Sequence, residues 1–432
     1  MAPPLSIISD ATLFDTECTL VVLLAGGGLL LWLVRRLRET RPGFLVATPI
    51  VVAFVLRFVA AIGIGQLPSA QSLRGGDELT FLARARGLAE LPLAGSDSWR
   101  ILRTQLHVFL LSLHDRVLGT VPELMARTEM ITFSVIAVAL VAAAVYELAG
   151  ARPALIAAWL LALEPTNIFF SSLIHKEPLM FMAEALVVFG GAVLWKRGKL
   201  YALVPTALGC LIALSTRPYV GYFLTAAAAA VFLHGALTKL HGVRSLAVVT
   251  TTAVLIAVLV PVFLQASSAQ NLKTLQISQN FNAGDSSANL SLERVDYSTR
   301  QRILVNLPKR IADIITKPYI WQTQNLSQRL GVIGTLVLLV SLVLLAGGVV
   351  RNRRALMARA GPIVYPAVFI LCAYALSAGN AGTAFRYRTH VMALALALIV
   401  VLRAYRREQR VVPEHAGLPQ WKNVQAAPTL VR

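Results

Sequence analysis

Two adjacent carboxylates, Asp77 and Glu78, stand behind a pair of glycines in Arg74-Gly75-Gly76-Asp77-Glu78, shortly after an apolar stretch. Such a pair suits general-base work, one carboxylate taking a proton from a hydroxyl while its neighbour orients the acceptor or a metal ion. The same residues also read as a loop whose aspartate caps a helix starting near Leu79. The opposite charge comes from Arg217, in the turn Ser215-Thr216-Arg217-Pro218-Tyr219, and from Arg386 and Arg388 on either side of Tyr387. Guanidinium forks match phosphate oxygens two at a time, and Lys176 adds a compact charge. The bland alternative for these cations is snorkelling to lipid headgroups. The third group is His175-Lys176-Glu177, where histidine and glutamate two apart suit hydrogen bonding to a polar substrate. They would give a metal only two ligands, so a divalent cation shared with Asp77 stays an open alternative and no cofactor is assigned.

The elements that position these residues must lie in a membrane. Hydrophobic residues make up 56% of the 432 positions and charged residues 14%, too few to cover a soluble globule. The formal charge of +19 would suggest nucleic acid in a soluble protein, but here the basic residues fall largely between apolar runs. That pattern favours anionic headgroups and phosphate-bearing substrates over nucleic acid. Cys18, Cys210 and Cys372 lie in or beside apolar segments without paired spacing, which predicts packing residues and no disulfide framework.

About eleven spans are expected, over 19–34, 44–67, 130–148, 153–173, 179–195, 200–214, 219–233, 246–264, 330–350, 363–376 and 391–402. No Lys or Arg precedes the first, so it reads as a retained span rather than a cleaved signal. Alternate connections are basic, among them Arg35 to Arg41, Lys196 to Lys199 and Arg351 to Arg354, which assigns them to the cytoplasm and the N-terminus to the outside. The carboxylate pair, the His175 turn, the Arg217 turn and the Arg386 turn then share the outer side. Outer segments are expected at about 68–128 and 265–329. The first should carry interfacial helices near Leu79–Leu88 and Trp99–Leu118, the second a short amphipathic helix near Arg302–Thr316. Arg57, Glu164 and Glu184 fall inside apolar runs and must be paired, protonated or facing water; a Glu184–Arg57 pair is one arrangement. The segment after about Val411 has no apolar periodicity and reads as a disordered cytoplasmic tail.

The run Gly75-Gly76-Asp77-Glu78-Leu79-Thr80-Phe81-Leu82-Ala83-Arg84-Ala85, after an early span and before an interfacial helix, resembles the first outer loop of the GT-C class of membrane glycosyltransferases. Protein O-mannosyltransferases and aminoarabinose transferases belong to that class. The middle spans from Ala151 to Glu164-Pro165, the Lys176-Glu177 pair, and the Arg-Pro-Tyr and Arg-Tyr-Arg turns are similar to its bacterial polysaccharide branch. The resemblance implies an all-α, GT-C-like polytopic bundle with residues 44–403 as catalytic core. Residues 1–43 would be an N-terminal outer segment with an extra first span, and 404–432 a basic tail. It further implies an inverting transferase that takes a sugar from a polyprenyl-phosphate carrier. The acceptor would be an envelope glycan, lipid or protein, and the active site would face the outside of the cell membrane. Asp77 becomes the catalytic base with Glu78 in support; His175, Lys176, Glu177, Arg217, Arg386, Tyr387 and Arg388 become substrate-binding residues. The extra first span and the lack of a large soluble C-terminal domain depart from the class, the second arguing against an oligosaccharyltransferase.

Two other readings stand beside this one. A polymerase of lipid-linked polysaccharide repeat units would share the many spans and the arginine-rich outer face. A transporter or flippase of lipid-linked sugars should instead show inverted repeats and cations deep in the membrane, and the sequence has no such repeat.

Overall fold

The computed structural model describes residues 10–66, 73–239, 242–266, 269–284, 292–317, 319, 321 and 326–415. Among them the chain is all α-helical apart from short connections, in the order α1 (Asp10–Glu39), α2 (Ala47–Gln66), α3 (Gly75–Ala89), α4 (Ser96–Thr104), α5 (Leu106–Leu118) and α6 (Glu123–Ala149). There follow α7 (Ala151–Leu163), α8 (Pro165–Ser171), α9 (Glu177–Arg197), α10 (Leu203–Thr216), α11 (Pro218–Lys239) and α12 (Val243–Ala266). The last are α13 (Ala269–Gly284), α14 (Arg300–Thr316), α15 (Leu326–Asn352), α16 (Leu356–Ser377) and α17 (Ala381–His415).

Eight of these helices, among the described residues, are long and apolar enough to cross a membrane. The chain is therefore a multi-pass membrane protein, and the other three of the eleven expected spans lie outside these eight among the described residues. The difference has local causes. The expected span over 153–173 is broken between α7 and α8, which meet at 59°. Pro165 cannot continue the helix and holds the preceding residue out of helical geometry, with Glu164 at φ −65° and ψ 114°. The expected span over 200–214 appears as the shorter apolar helix Leu200–Thr216, and the one over 246–264 lies within α12.

The break in the seventh and eighth helices exposes backbone groups inside the bundle, and two buried charged residues satisfy them. Arg57 donates to the carbonyls of Leu161 (3.1 Å) and Ala162 (3.2 Å) at the end of α7, and to Oδ1 of Asn167 (2.8 Å). Glu164 accepts from the Asn167 amide (2.5 Å) and the Thr166 amide (3.1 Å) at the start of α8. A buried arginine and a buried glutamate are thus held as helix caps. Arg57 does not pair with Glu184, which meets Nδ1 of His390 (3.0 Å) and the Tyr374 hydroxyl (3.3 Å) instead.

Burial sorts the spans into centre and rim. The apolar window of α17 is 94% buried, against 22% for α1 and α15, so α17 runs through the middle. Its stretch Val391-Met392-Ala393-Leu394-Ala395-Leu396-Ala397-Leu398 is apolar all round, as a surrounded helix must be. Helices α6 and α9 pack against each other through alanine, valine and glycine, whose small side chains let the backbones approach. At one end of this pair Glu147 of α6, 4% exposed, is held by Arg41 (2.7 Å) and Arg197 (2.8 Å). Gly198 then ends α9 in the left-handed conformation, φ +59°.

The helices expected within 79–118 are present as α3, α4 and α5, with α3 packed on α5, and the amphipathic helix expected near 302–316 is α14. Helix α17 runs on to His415, so the start of the expected tail is helical; residues 416–432 lie outside the described residues.

Candidate active site

Helix α3 starts at Gly75, four residues before Leu79, so Asp77 and Glu78 sit inside its first turn rather than capping it. Carboxylates there complement the partial positive charge of a helix N-terminus. Successive helical residues point about 100° apart, and this splits the pair. The Asp77 side chain is 53% exposed at the mouth of the bundle, whereas that of Glu78 is fully buried. Glu78 Oε1 accepts from Arg127 Nη2 (2.8 Å) and Nε (3.2 Å), and Arg127 also donates to the Ala61 carbonyl (3.0 Å). Glu78 therefore ties α2, α3 and α6 together and does not stand beside Asp77. Arg74, ahead of the helix, meets Glu123 (2.6 Å) and Glu78 (3.6 Å).

Opposite Asp77 lie three helix junctions. Glu177 opens α9, with Pro178 favouring a helix start at that point. Arg217 stands between α10 and α11, where Pro218 disfavours helical geometry and leaves φ −144° and ψ 86°. Arg386 lies in the second turn of α17, whose start is fixed by Asn380 Oδ1 accepting the Thr383 amide (2.8 Å).

These junctions converge. Arg386 Nη2 is 2.6 Å from Asp77 Oδ2, and its Nε is 3.7 Å from Glu177 Oε1. Glu177 Oε1 also accepts from Arg217 Nη2, while Oε2 lies 3.7 Å from His175 Nδ1. The Arg217 guanidinium rests 4.7 Å from the Tyr387 ring centroid, and the Tyr387 and Tyr219 hydroxyls are 2.8 Å apart. Tyr374 stacks on Tyr387 at 4.3 Å and leads on to Glu184 and His390. Lys176 makes no ion pair among the described residues; its ammonium lies 5.9 Å from the Phe81 ring. His107 and His175 each meet the Phe81 ring edge to face, at 4.5 and 6.0 Å.

Seven of the nine sequence-derived candidates thus share one cluster: Asp77, His175, Lys176, Glu177, Arg217, Arg386 and Tyr387. Glu78 faces Arg127. Arg388, two residues beyond Arg386, points away from the mouth and donates to the Thr335 hydroxyl and the Lys317 carbonyl. Sequence reasoning passed over His107, Tyr374 and Arg127. The first two sit singly on apolar helices, with no spacing to mark them, while an arginine near the start of a span could have been flagged.

The charges are strongly perturbed. Burial pushes the Asp77 carboxyl up, but the Arg386 charge and hydrogen bond outweigh it and hold it below the usual range. Burial and then the Arg217 charge bring Lys176 down to about 7. Burial and then Arg386 bring His175 down to about 3, and burial lowers His107 well below its usual value. Burial disfavours the Arg217 charge, yet Glu177 holds its pKa well above normal. At neutral pH the cluster presents ionised Asp77, neutral imidazoles and a lysine close to its titration point.

The arrangement can accept a proton at Asp77 and neutralise an anion. Arg217 Nε and Nη1 and Arg386 Nε are buried without a hydrogen-bond partner among the described residues. Also among those residues, no group of three or more His, Cys, Asp or Glu side chains is placed to hold a metal ion.

No family model matches the chain. No curated protein matches it in sequence. Among solved structures, the chain is similar to the crystal structure of ArnT from Cupriavidus metallidurans bound to undecaprenyl phosphate, with a TM-score of 0.46 and 15% identity. That similarity covers 87% of this chain and 66% of the other.

Proposed function

We propose that the protein is an integral-membrane glycosyltransferase that moves a sugar from a polyprenyl-phosphate carrier to a hydroxyl of a cell-envelope acceptor, at the outer membrane face. The observation that carries this reading is the convergence of an exposed, ionised Asp77 with Lys176, Arg217 and Arg386 at one mouth of a membrane bundle. The GT-C resemblance of the same motifs supports it, and the alternation of basic connections supports the outward orientation.

In the proposed step the acceptor oxygen attacks the anomeric carbon from the face opposite the phosphate. The carbon–oxygen bond to the phosphate breaks, its electron pair leaves with the polyprenyl phosphate, and the acceptor proton passes to Asp77. Configuration inverts. Arg386 lowers the basicity of Asp77, which suits a proton lost late, when the attacking oxygen has already become acidic. Lys176 and the free nitrogens of Arg217 stabilise the charge growing on the leaving phosphate. Arg386 spans the two halves, touching Asp77 through Nη2 and approaching Glu177 through Nε. His107 and His175 pack edge to face on Phe81 in the same cluster.

The test is a single-turnover assay of protein in lipid nanodiscs with radiolabelled polyprenyl-monophosphate sugars, comparing wild type with Asp77→Asn. Transfer by the wild type and loss of about 10²- to 10⁴-fold in the variant is the expected result. Full activity in the variant removes Asp77 from the chemistry. A wild type that consumes only diphosphate-linked oligosaccharides would make the protein a repeat-unit polymerase instead.

A further inference from the structure

Helix α14 and the described residues just before it line a polar pocket that the proposed reaction does not use. It is small, and is lined by Glu293, Arg294, Asn306, Lys309, Arg310 and Asp313 among others. Each carboxylate there already has a lysine. Lys309 meets Glu293, and Lys317 Nζ is 2.9 Å from Asp313 Oδ1. The two arginines are left in excess. Arg294 is exposed at the rim and makes no ion pair among the described residues. Arg310 is only 1% exposed, and none of its three side-chain nitrogens has a hydrogen-bond partner among the described residues. Asp313 Oδ2 stands 3.8 Å from Arg310 Nη1, and the Tyr297 hydroxyl lies beside the guanidinium without hydrogen-bond geometry.

A buried guanidinium whose facing carboxylate stands at 3.8 Å, beyond hydrogen-bond distance, is costly, and native proteins rarely leave one so. What relieves it here must fit a small polar cavity, carry negative charge and present several oxygens to two forks. We infer that this cavity is an anion site for a phosphate group, gripped by Arg310 from within and Arg294 at the rim. A phosphate carries about −1.5 to −2 near neutral pH, which two guanidiniums balance. The site sits on α14, which packs against α16 and α17. Just past the end of α14, the Lys317 carbonyl accepts from Arg388, two residues beyond Arg386. The phosphate belongs either to a soluble or acceptor-borne phosphomonoester or to an anionic lipid headgroup; the recognition chemistry is the same.

Hydrogen–deuterium exchange of the full chain in nanodiscs tests this. One arm titrates glycerol 3-phosphate into phosphatidylcholine nanodiscs; the other compares phosphatidylcholine with phosphatidylcholine–phosphatidylglycerol nanodiscs. Protection of peptides within 292–317 is expected in at least one arm, and the arm identifies the source. Arg310→Lys and Arg294→Gln should each raise the half-protecting concentration or lipid fraction at least about fivefold, roughly the loss of one arginine–phosphate contact. Because Arg294 is exposed, its variant keeps the test valid if the Arg310 variant folds poorly. No protection in either arm, or protection unchanged in both variants, overturns the proposal. Peptides over 75–89 and 172–177 report the Asp77 cluster separately, so phosphate bound only there overturns this inference and leaves the proposed function standing.

Discussion

Arg386 reaches across the mouth of the bundle to set Nη2 2.6 Å from Oδ2 of Asp77, a residue 309 positions earlier in the chain. The contact joins the first turn of α3 to the central span, α17. The Asp77 side chain is half exposed, so the pair should add at most about 1 kcal/mol to stability. Its importance should show in function. Asp77→Asn and Arg386→Gln are each expected to reduce transfer strongly with little change in melting temperature, and the double variant should lose less than the product of the two. Multiplicative losses in that cycle would mean the two residues act independently.

The pH dependence should follow Lys176. Its pKa is lowered to about 7, so the ammonium is charged below that pH and neutral above it. Affinity for a phosphate-bearing donor should therefore fall as pH rises through about 7, and binding at pH 8 should take up a proton, visible as a buffer-dependent heat in calorimetry. Lys176→Arg keeps its charge and should flatten the profile. An identical profile in that variant would assign the titration to another group.

The buried Glu177–Arg217 pair is expected to be structural as well as functional. Glu177→Gln strips the charge facing a guanidinium that is 1% exposed, and should cost about 3–5 kcal/mol. A large fall in melting temperature in nanodiscs, partly reversed by adding Arg217→Met, is the expected pattern. A variant as stable as wild type would show that water or lipid already screens Arg217.

The caps at the broken span predict two further losses. Glu164→Ala removes the acceptor of the Thr166 and Asn167 amides and should cost about 0.5–2 kcal/mol. Arg57→Met orphans the Leu161 and Ala162 carbonyls, about 1–3 kcal/mol for each group left unpaired. Both are read by thermal unfolding, and neither touches Asp77.

Close helix contact at Gly209 predicts overpacking. A Cβ there would sit 2.5 Å from the Ala183 carbonyl oxygen, so Gly209→Ala should part α9 from α10 and cost about 1–3 kcal/mol. An unchanged melting temperature would show that the two backbones can separate freely.

Much of the architecture could be read from the chain because a bilayer leaves so few choices. Apolar runs become helices, and the segments around Phe81, Leu111 and Ile314 carried helical spacing that the structure follows. The site was legible where charge had no topological purpose, as at Lys176, Arg217 and Arg386. Spacing could not reveal direction. Asp77 and Glu78 look equivalent in sequence, and only the helix register, set by a start at Gly75, sends one to the mouth and the other to Arg127. Arg386 and Arg388 look like a matched pair around Tyr387, yet they are separated by two helical steps of about 100° and end on different neighbours. The broken span escaped for a similar reason. Pro165 marks a kink, but its angle depends on what satisfies the freed backbone, and Arg57 lies more than a hundred residues away.

The Arg41–Glu147–Arg197 clamp bears on which end of the bundle is held most firmly. It lies at the far end of α9 from Glu177, about 30 Å along a helix of 21 residues, at the foot of the most tightly packed helices. Separating α6, α9 and the link after α1 at that foot would strip a buried carboxylate of both its cations, at a cost of several kcal/mol. That end of the bundle is therefore tied by charge as well as by packing, while the end carrying Glu177 is left to the half-exposed Asp77–Arg386 contact.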